Sequence, residues 1–186
     1  MVGFMGRGWG LLLAGLWLMA CSPAFNWRLV GHEGVPARML MPCKPERAER
    51  EVRLLGADSP SSSLRLMSCE SGGHTFAWAA LRLPPGLTPP EAAHGWMRAS
   101  WVSLRQNVPP GDSHPMGWSS TEFTVEGGEW GQRWRGPALD HRQQPLQAQV
   151  LLAVSDGWLH QAAVYAPPAS ADASVIDTFF ESLTLR

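Results

Sequence analysis

Apolar and polar residues alternate along several short stretches of the chain, and this period of two predicts β-strands. The stretches fall into two groups, on either side of a region with helix signals. The first group is Ala37 to Met41, Glu49 to Leu55, Leu64 to Cys69 and His74 to Leu83, which we expect to form an antiparallel meander. The second group is Phe123 to Val125, Trp130 to Trp134, Leu146 to Val154 and Trp158 to Tyr165, the last two joined by a tight turn at Asp156-Gly157.

Two other segments repeat apolar residues every three or four positions, as a helix with one buried face does. The first begins with Thr88 as N-cap, Pro89 at the first helical position and Glu91 completing a capping box, and we expect it to end near Asn107. Its apolar face carries Ala93, Trp96, Met97, Ser100, Trp101 and Leu104. The second opens at Ser170 and Asp172 and carries Val175, Ile176, Phe179, Phe180 and Leu183. The element order predicts an α+β domain in which a twisted antiparallel sheet carries one central and one C-terminal helix.

The N-terminal segment has a different pattern. Arg7 precedes an apolar run from Trp9 to Ala20. A helix over this run would be about 18 Å long, shorter than the roughly 30 Å hydrocarbon core of a bilayer, so the run is typical of a cleaved secretory signal. We therefore expect a signal peptide at residues 1–20, a tether at residues 21–36 and one folded domain at residues 37–186.

The end of the apolar run, Leu18-Met19-Ala20-Cys21, resembles the lipobox of bacterial lipoproteins. The resemblance implies that Cys21 starts the mature protein and carries a diacylglycerol and an N-linked acyl chain. Two or three such chains hold a protein on a membrane. Ser22 after the cysteine implies, by the sorting rule of enteric bacteria, an outer-membrane anchor with the domain facing the periplasm. Met19 departs from the usual small residue, which leaves ordinary signal-peptidase cleavage as the alternative.

A second resemblance concerns the folded part. The element order, together with the segments Gln161 to Tyr165 and Phe179 to Leu183, resembles small lipoproteins of proteobacteria and, loosely, the PsbP-like superfamily with its DcrB-type lipoproteins. The resemblance implies a scaffold or assembly-assisting role in some members. It implies no shared catalytic residues, so none is carried over to this chain.

Composition narrows the function classes. Lys and Arg number 15 and Asp and Glu number 16, for a net charge of -1, so no basic surface for nucleic acid is expected. If Cys21 is lipidated, Cys43 and Cys69 remain as a pair in an oxidising compartment, which predicts a disulfide. A metal site of Cys43, Cys69 and His74 is the alternative, but the spacing of a metal motif is missing. We expect no metal and no cofactor.

Catalytic templates mostly fail on this sequence. His32-Glu33 begins like a zincin motif, but Gly34-Val35-Pro36 cannot continue the helix that the motif needs. The sequence has no nucleophile elbow, S-x-x-K motif or P-loop. Carboxylates for glycoside hydrolysis could come from Glu122, Glu126 and Glu129. The other interpretation is a solvated strand face on which Arg133 and Arg135 are cross-strand partners of these glutamates.

Tryptophans give the best binding candidates. Of ten in the chain, Trp118, Trp130, Trp134 and Trp158 map to the second half of the sheet, either as an aromatic platform for sugars or peptides or as core packing under the helices. The leading hypothesis is a lipid-anchored, non-enzymatic envelope protein that binds or assists an envelope partner. The alternatives are a small-ligand or glycan-binding protein that uses these tryptophans, and an envelope hydrolase.

Overall fold

The computed structural model describes residues 24–56, 59–111 and 113–186. The predicted signal peptide and the predicted lipid-bearing Cys21 lie outside the described residues. The described chain forms one seven-stranded and one three-stranded antiparallel sheet with two α-helices. The predicted α+β class, with one central and one C-terminal helix, is confirmed.

The large sheet has the strand order β3-β4-β5-β9-β8-β7-β6, and every neighbouring pair is antiparallel. Its strands are β3 (Glu46–Val52), β4 (Ser62–Ser71), β5 (His74–Arg82), β6 (Ser119–Glu122), β7 (Trp130–Leu139), β8 (Pro145–Ser155) and β9 (Trp158–Ala166). Sequence neighbours pair in the hairpins on both sides. The central β5–β9 pairing joins the two halves across the helical region, so the sheet is continuous.

The small sheet consists of β1 (Arg28–Val30), β2 (Ala37–Met41) and β10 (Thr184–Leu185), with β2 in the middle. The expectation that Ala37 to Met41 begins the meander is therefore wrong. The alternating pattern correctly predicts a strand here, but alternation does not say which sheet a strand joins. β2 instead pairs with two strands from the ends of the described chain.

The folded domain also begins before residue 37, where the tether was expected to end. Phe25, Trp27 and Val30 pack against the buried core, and the backbone N–H of Asn26 donates to the carbonyl of Pro42 at 2.7 Å. The tether boundary at residue 36 is therefore wrong, because scattered aromatic residues in a segment rich in Gly and Pro gave no periodic signal. Any tether after Cys21 ends near Ala24.

The two helices cover opposite faces of the large sheet. Helix α1 (Pro89–Ser103) packs Trp96, Met97 and Trp101 on one face. Helix α2 (Ala173–Glu181) packs its phenylalanines on the other face, together with the small sheet. Each face of the large sheet therefore carries its own hydrophobic core, the α1 core on one side and the small-sheet core on the other.

Both helices begin where the sequence predicts. The Glu91 carboxylate accepts hydrogen bonds from the backbone N–H and the hydroxyl of Thr88 at 2.8 and 2.6 Å. Asp172 accepts from the backbone N–H of Ser174 at 2.9 Å, as an N-cap does. Helix α1 ends four residues before the predicted Asn107, because the chain turns at Arg105, whose φ is +60°.

The predicted disulfide is present. Cys43 follows β2 and Cys69 lies in β4, with their Cα atoms 6.0 Å apart. The bridge ties the small sheet to the large one. It therefore links two parts of the fold that share no backbone ladder.

Candidate functional site

Three of the four candidate tryptophans lie on the α1 face of the large sheet. Trp130 and Trp134 share a face of β7, with ring centroids 6.3 Å apart. Trp118 packs on Trp101 at 5.9 Å, and its indole N–H donates to the carbonyl of Pro137 at 3.1 Å. Trp118 and Trp134 are buried and Trp130 is half-buried. These rings pack the α1 core rather than a surface.

Trp158 lies on the opposite face, so the four tryptophans do not form one platform. It opens β9 directly after Asp156 and Gly157, whose positive φ values of 49° and 68° suit a tight hairpin turn. Its partner in β5 is Arg82, whose guanidinium carbon is 4.7 Å from the indole centroid. Arg65 of β4 lies 5.5 Å from the same ring. The two guanidinium groups flank the indole, of which 6% is exposed.

A surface cleft of about 360 Å³ opens beside these side chains, and we call it the Trp158 cleft. Its apolar wall is formed by Pro60, Leu83, Pro84 and Pro85, and its polar side by Ser61, Ser62 and Ser63. Arg65, Arg82 and Trp158 complete the lining. Within the described ranges, no carboxylate lines the cleft. The described lining therefore combines two guanidinium groups with an apolar wall.

Hydrogen bonds to backbone carbonyls fix both arginines. Nη1 of Arg82 donates to the carbonyl of Asp156 at 2.8 Å, and Nη1 of Arg65 donates to the carbonyl of Glu33. Nε of Arg65 also lies 3.5 Å from Oε1 of Glu49. That carboxylate accepts a hydrogen bond from the Ser63 hydroxyl, which, with Arg65 nearby, lowers the pKa of Glu49. These hydrogen bonds hold both guanidinium groups in place at the surface of the protein.

The cleft and the start of the described chain lie at opposite ends of β4. The hydroxyl of Ser71, at the end of β4, donates to the carbonyl of Ala24. Phe25 stands edge-on to His74, with ring centroids 6.2 Å apart. Ser62, at the other end, lines the cleft. A ten-residue strand spans about 30 Å, so roughly that distance separates the chain entry from the cleft.

Two buried histidines lie beside Trp78 under the small sheet. The ring of His32 is 4.5 Å and that of His160 is 6.2 Å from the indole of Trp78. Nε2 of His32 is 3.3 Å from the carbonyl of Trp78. Burial lowers the pKa of each histidine to about 4. Both rings are therefore neutral at pH 7, and His32 belongs to the core rather than to a metal motif.

The proposed cysteine and histidine metal site is not formed. Cys43 and Cys69 are bonded to each other, and Nδ1 of His74 lies 2.9 Å from the carbonyl of Gly72. In the part of the chain that the structure describes, no group of three His, Cys, Asp or Glu side chains is placed to hold a metal ion. The metal alternative for Cys43, Cys69 and His74 is wrong because the thiols are consumed by the bridge.

The candidate carboxylates Glu122, Glu126 and Glu129 are all exposed. Glu122 faces Gln132 across the β6–β7 ladder. The side chain of Glu129 accepts a hydrogen bond from the backbone N–H of Asp156 at 2.9 Å, which holds the carboxylate over a turn. Glu129 therefore stabilises the β8–β9 turn.

Arg133 does not pair with these glutamates. Its Nη1 donates to Asp177 of α2 at 2.8 Å, and its Nη2 donates to Gln149 at 2.5 Å. Arg135 lies opposite Ser119 in the β6–β7 ladder. The expected pairing of these two arginines with the glutamates is therefore wrong. For Arg133 the reason is that α2 crosses this part of the sheet and supplies the carboxylate of Asp177.

No family model matches the chain, and no curated protein matches it. Among solved structures, it is similar to the solution structure of cyanobacterial PsbP (CyanoP) from Synechocystis sp. PCC 6803, with a TM-score of 0.47 and 10% identity. The similarity covers 90% of this chain and 96% of the other. It is a likeness in fold, and nothing about binding or activity follows from it.

None of the helices among the described residues is long and apolar enough to cross a membrane.

The sequence pointed to Trp158 but missed Arg65 and Arg82. Arg65 follows Ser63 on its face of β4, and Arg82 is the last residue of β5, so neither stands out in the sequence. Their convergence on Trp158 depends on the β4–β5 and β5–β9 registers, which join residues distant in sequence.

Proposed function

We propose that this protein is a lipid-anchored, non-enzymatic component of the bacterial cell envelope whose domain binds or assists another envelope component. The anchor rests on the sequence Leu18-Met19-Ala20-Cys21 behind an apolar run. The disulfide between Cys43 and Cys69 supports an oxidising compartment such as the periplasm. Lipidation would place the domain at a membrane surface, facing the periplasm from the outer membrane.

The observation that carries this proposal is the docking of the N-terminal segment. Ala24 is bonded to Ser71, and Phe25 packs beside it, only a few residues after Cys21. Three residues of extended chain span at most about 11 Å. A lipid on Cys21 would therefore hold the β4–β5 turn close to the bilayer. The opposite end of the sheet, with the Trp158 cleft, would face away from that membrane.

This orientation favours a binding role. An anchored domain with a fixed membrane-facing end presents its other end to soluble or membrane-bound components of the periplasm. The Trp158 cleft lies at that other end and combines charge with apolar surface, as ligand sites do. Small-ligand binding is therefore the second candidate function, and the cleft is the observation that favours it.

The anchor is tested by Cys21→Ala in the full chain expressed in a proteobacterial host. We expect the variant to leave the membrane fraction or to accumulate as the unprocessed precursor, and its mass to lack the acyl chains. The matched control is the double variant Cys43→Ser/Cys69→Ser, which also loses cysteines but keeps position 21. Unchanged fractionation and mass of Cys21→Ala would refute the anchor.

The partner is tested by quantitative mass spectrometry of what co-purifies with the gently solubilised native protein. We expect a stoichiometric envelope protein that is lost with Cys21→Ala, because the anchor sets where the domain meets its partner. A protein that purifies without a stoichiometric partner would refute the partner-binding role and leave the ligand-binding role.

A further inference from the structure

We propose that the Trp158 cleft binds a small organic anion, whose carboxylate or phosphate meets Arg65 and Arg82 while its apolar body lies against the proline wall. This deepens the ligand-binding role in the proposed function and does not depend on the lipid anchor. The arguments are the charge of the cleft, the fixed position of its arginines and its size.

The charge argument comes from the lining. Arg65 and Arg82 are two positive charges within about 6 Å of one indole ring, and the one carboxylate described beside them, Glu49, lies 3.5 Å from Nε of Arg65, so one positive charge is left in excess. The whole chain carries a net charge of -1, so this concentration of positive charge is local. An anion entering the cleft would relieve the repulsion between the two guanidinium groups. A cation would increase it.

The arginines are positioned in advance. Each guanidinium donates through Nη1 to a backbone carbonyl, that of Asp156 for Arg82 and that of Glu33 for Arg65. A guanidinium has five N–H donors in a planar fork, so donors remain for a ligand. Because both side chains are already ordered by these bonds and by the indole, binding would cost little side-chain entropy.

Size and wall composition select an organic anion. The cleft of about 360 Å³ lies at the lower end of the range for small-molecule sites. Its wall of Pro60, Leu83, Pro84 and Pro85 offers apolar contact that an inorganic ion cannot use. The two guanidinium groups cover the indole ring of Trp158, so a sugar cannot stack on that ring in this conformation. Recognition would therefore rest on the arginines and the proline wall.

The test is calorimetric titration of the purified full-length protein with benzoate, benzamide and inorganic phosphate at millimolar concentration. Benzoate and benzamide share their shape and differ in charge. We expect benzoate to bind at least tenfold more tightly than benzamide, because only benzoate is attracted by the guanidinium groups, and more tightly than phosphate, because only benzoate uses the wall. Equal binding of benzamide, equal binding of phosphate, or no benzoate binding would each overturn the proposal.

Variants locate the site. Arg82→Gln should weaken benzoate binding tenfold or more, whereas Arg142→Gln, an exposed arginine in the β7–β8 turn, should leave it unchanged. Because Arg82→Gln also loses a bond to Asp156, a second variant, Ser61→Asp, adds a negative charge at an exposed lining position without removing a contact in the core. It should abolish binding. Full binding by Ser61→Asp would place the benzoate elsewhere and refute the proposal, whereas membrane fractionation of Cys21→Ala tests the anchor separately.

Discussion

The two faces of the large sheet are covered in different ways. The α1 face is covered by one helix of fifteen residues, and its core is built from tryptophans and aliphatic residues. The other face is covered by β1, β2, α2 and β10, which come from both ends of the described chain. The disulfide, the buried pair His32 and His160, and the Trp158 cleft all belong to this second face.

The difference lies in how far apart in the sequence the covering segments are, and this distance sets the entropy cost of closing each face. A single amphipathic helix can form and dock as a unit, since its contacts are spaced regularly along one segment. A cover made from both chain ends must close long loops, and each closure costs entropy. The small-sheet face therefore depends on the bridge between Cys43 and Cys69. It also contains the buried groups that respond to acid.

Loss of the disulfide should give the largest difference in stability between the two faces. Cys43→Ser and Cys69→Ser should each lower the free energy of unfolding by roughly 3 to 4 kcal/mol, because either change removes the same closed loop. Denaturant unfolding of each variant measures the loss. Hydrogen exchange should quicken in β2 before it quickens in α1.

Reductant provides the control for the disulfide. It should destabilise the wild-type protein but leave the double variant Cys43→Ser/Cys69→Ser unchanged. Free alkylation of both cysteines in the native exported protein, or equal exchange in β2 and α1, would contradict the dependence of the small-sheet face on the bridge.

Acid should weaken the same face through its histidines. The folded-state pKa of His160 is lowered to about 4 from 6.5, chiefly by burial and then by the charge of His32, so the unfolded chain binds more protons between these values. This contribution to stability is complete above about pH 6.5 and is lost as the pH falls toward 4. The total loss in the free energy of unfolding between pH 6.5 and pH 4 is on the order of 3 kcal/mol. Unfolding free energies measured from pH 7 to 4.5 check the slope.

The matched pair for the acid effect is His160→Leu and His141→Leu. His160 is buried, whereas His141 is exposed in the β7–β8 turn. The pH slope should flatten in His160→Leu and stay as in the wild type in His141→Leu. The same slope in all three proteins would exclude the buried histidine as its source.

Helix caps should give the smallest effect. Asp172 accepts hydrogen bonds from the backbone N–H groups of Ser174 and Val175, at 2.9 and 3.4 Å. Asp172→Ala should lower the Tm by about 2 to 4 °C, because these amides at the start of α2 lose their acceptor. Thr88→Ala should lower it less, since the backbone N–H of residue 88 still donates to the Glu91 carboxylate after the hydroxyl is lost. Thermal unfolding followed by circular dichroism compares them, and a larger loss in Thr88→Ala would reverse the expected order.

Local signals in the sequence predicted most elements and little of the site. The period of two found β8 and β9, and Asp156-Gly157 found their turn. The spacing of Trp96, Met97 and Trp101 found the buried face of α1. The candidate site was found only through Trp158. Its arginine partners come from β4 and β5, and no local pattern pairs them with β9.

Local patterns in the sequence predicted both helices with their caps, most strands and the cysteine pair, and they carry the resemblance of Leu18 to Cys21 to a lipobox. Those features depend on neighbours a few residues apart or on composition. The patterns missed β1 and β10, and they placed a strand at Phe123 to Val125, directly after the observed β6. Three features became visible only in the folded domain: β2 pairs with strands from both ends of the described chain, α1 and α2 cover opposite faces, and Arg65, Arg82 and Trp158 meet. These outcomes depend on which strands pair and in what register, and that is set by packing between segments far apart in the chain.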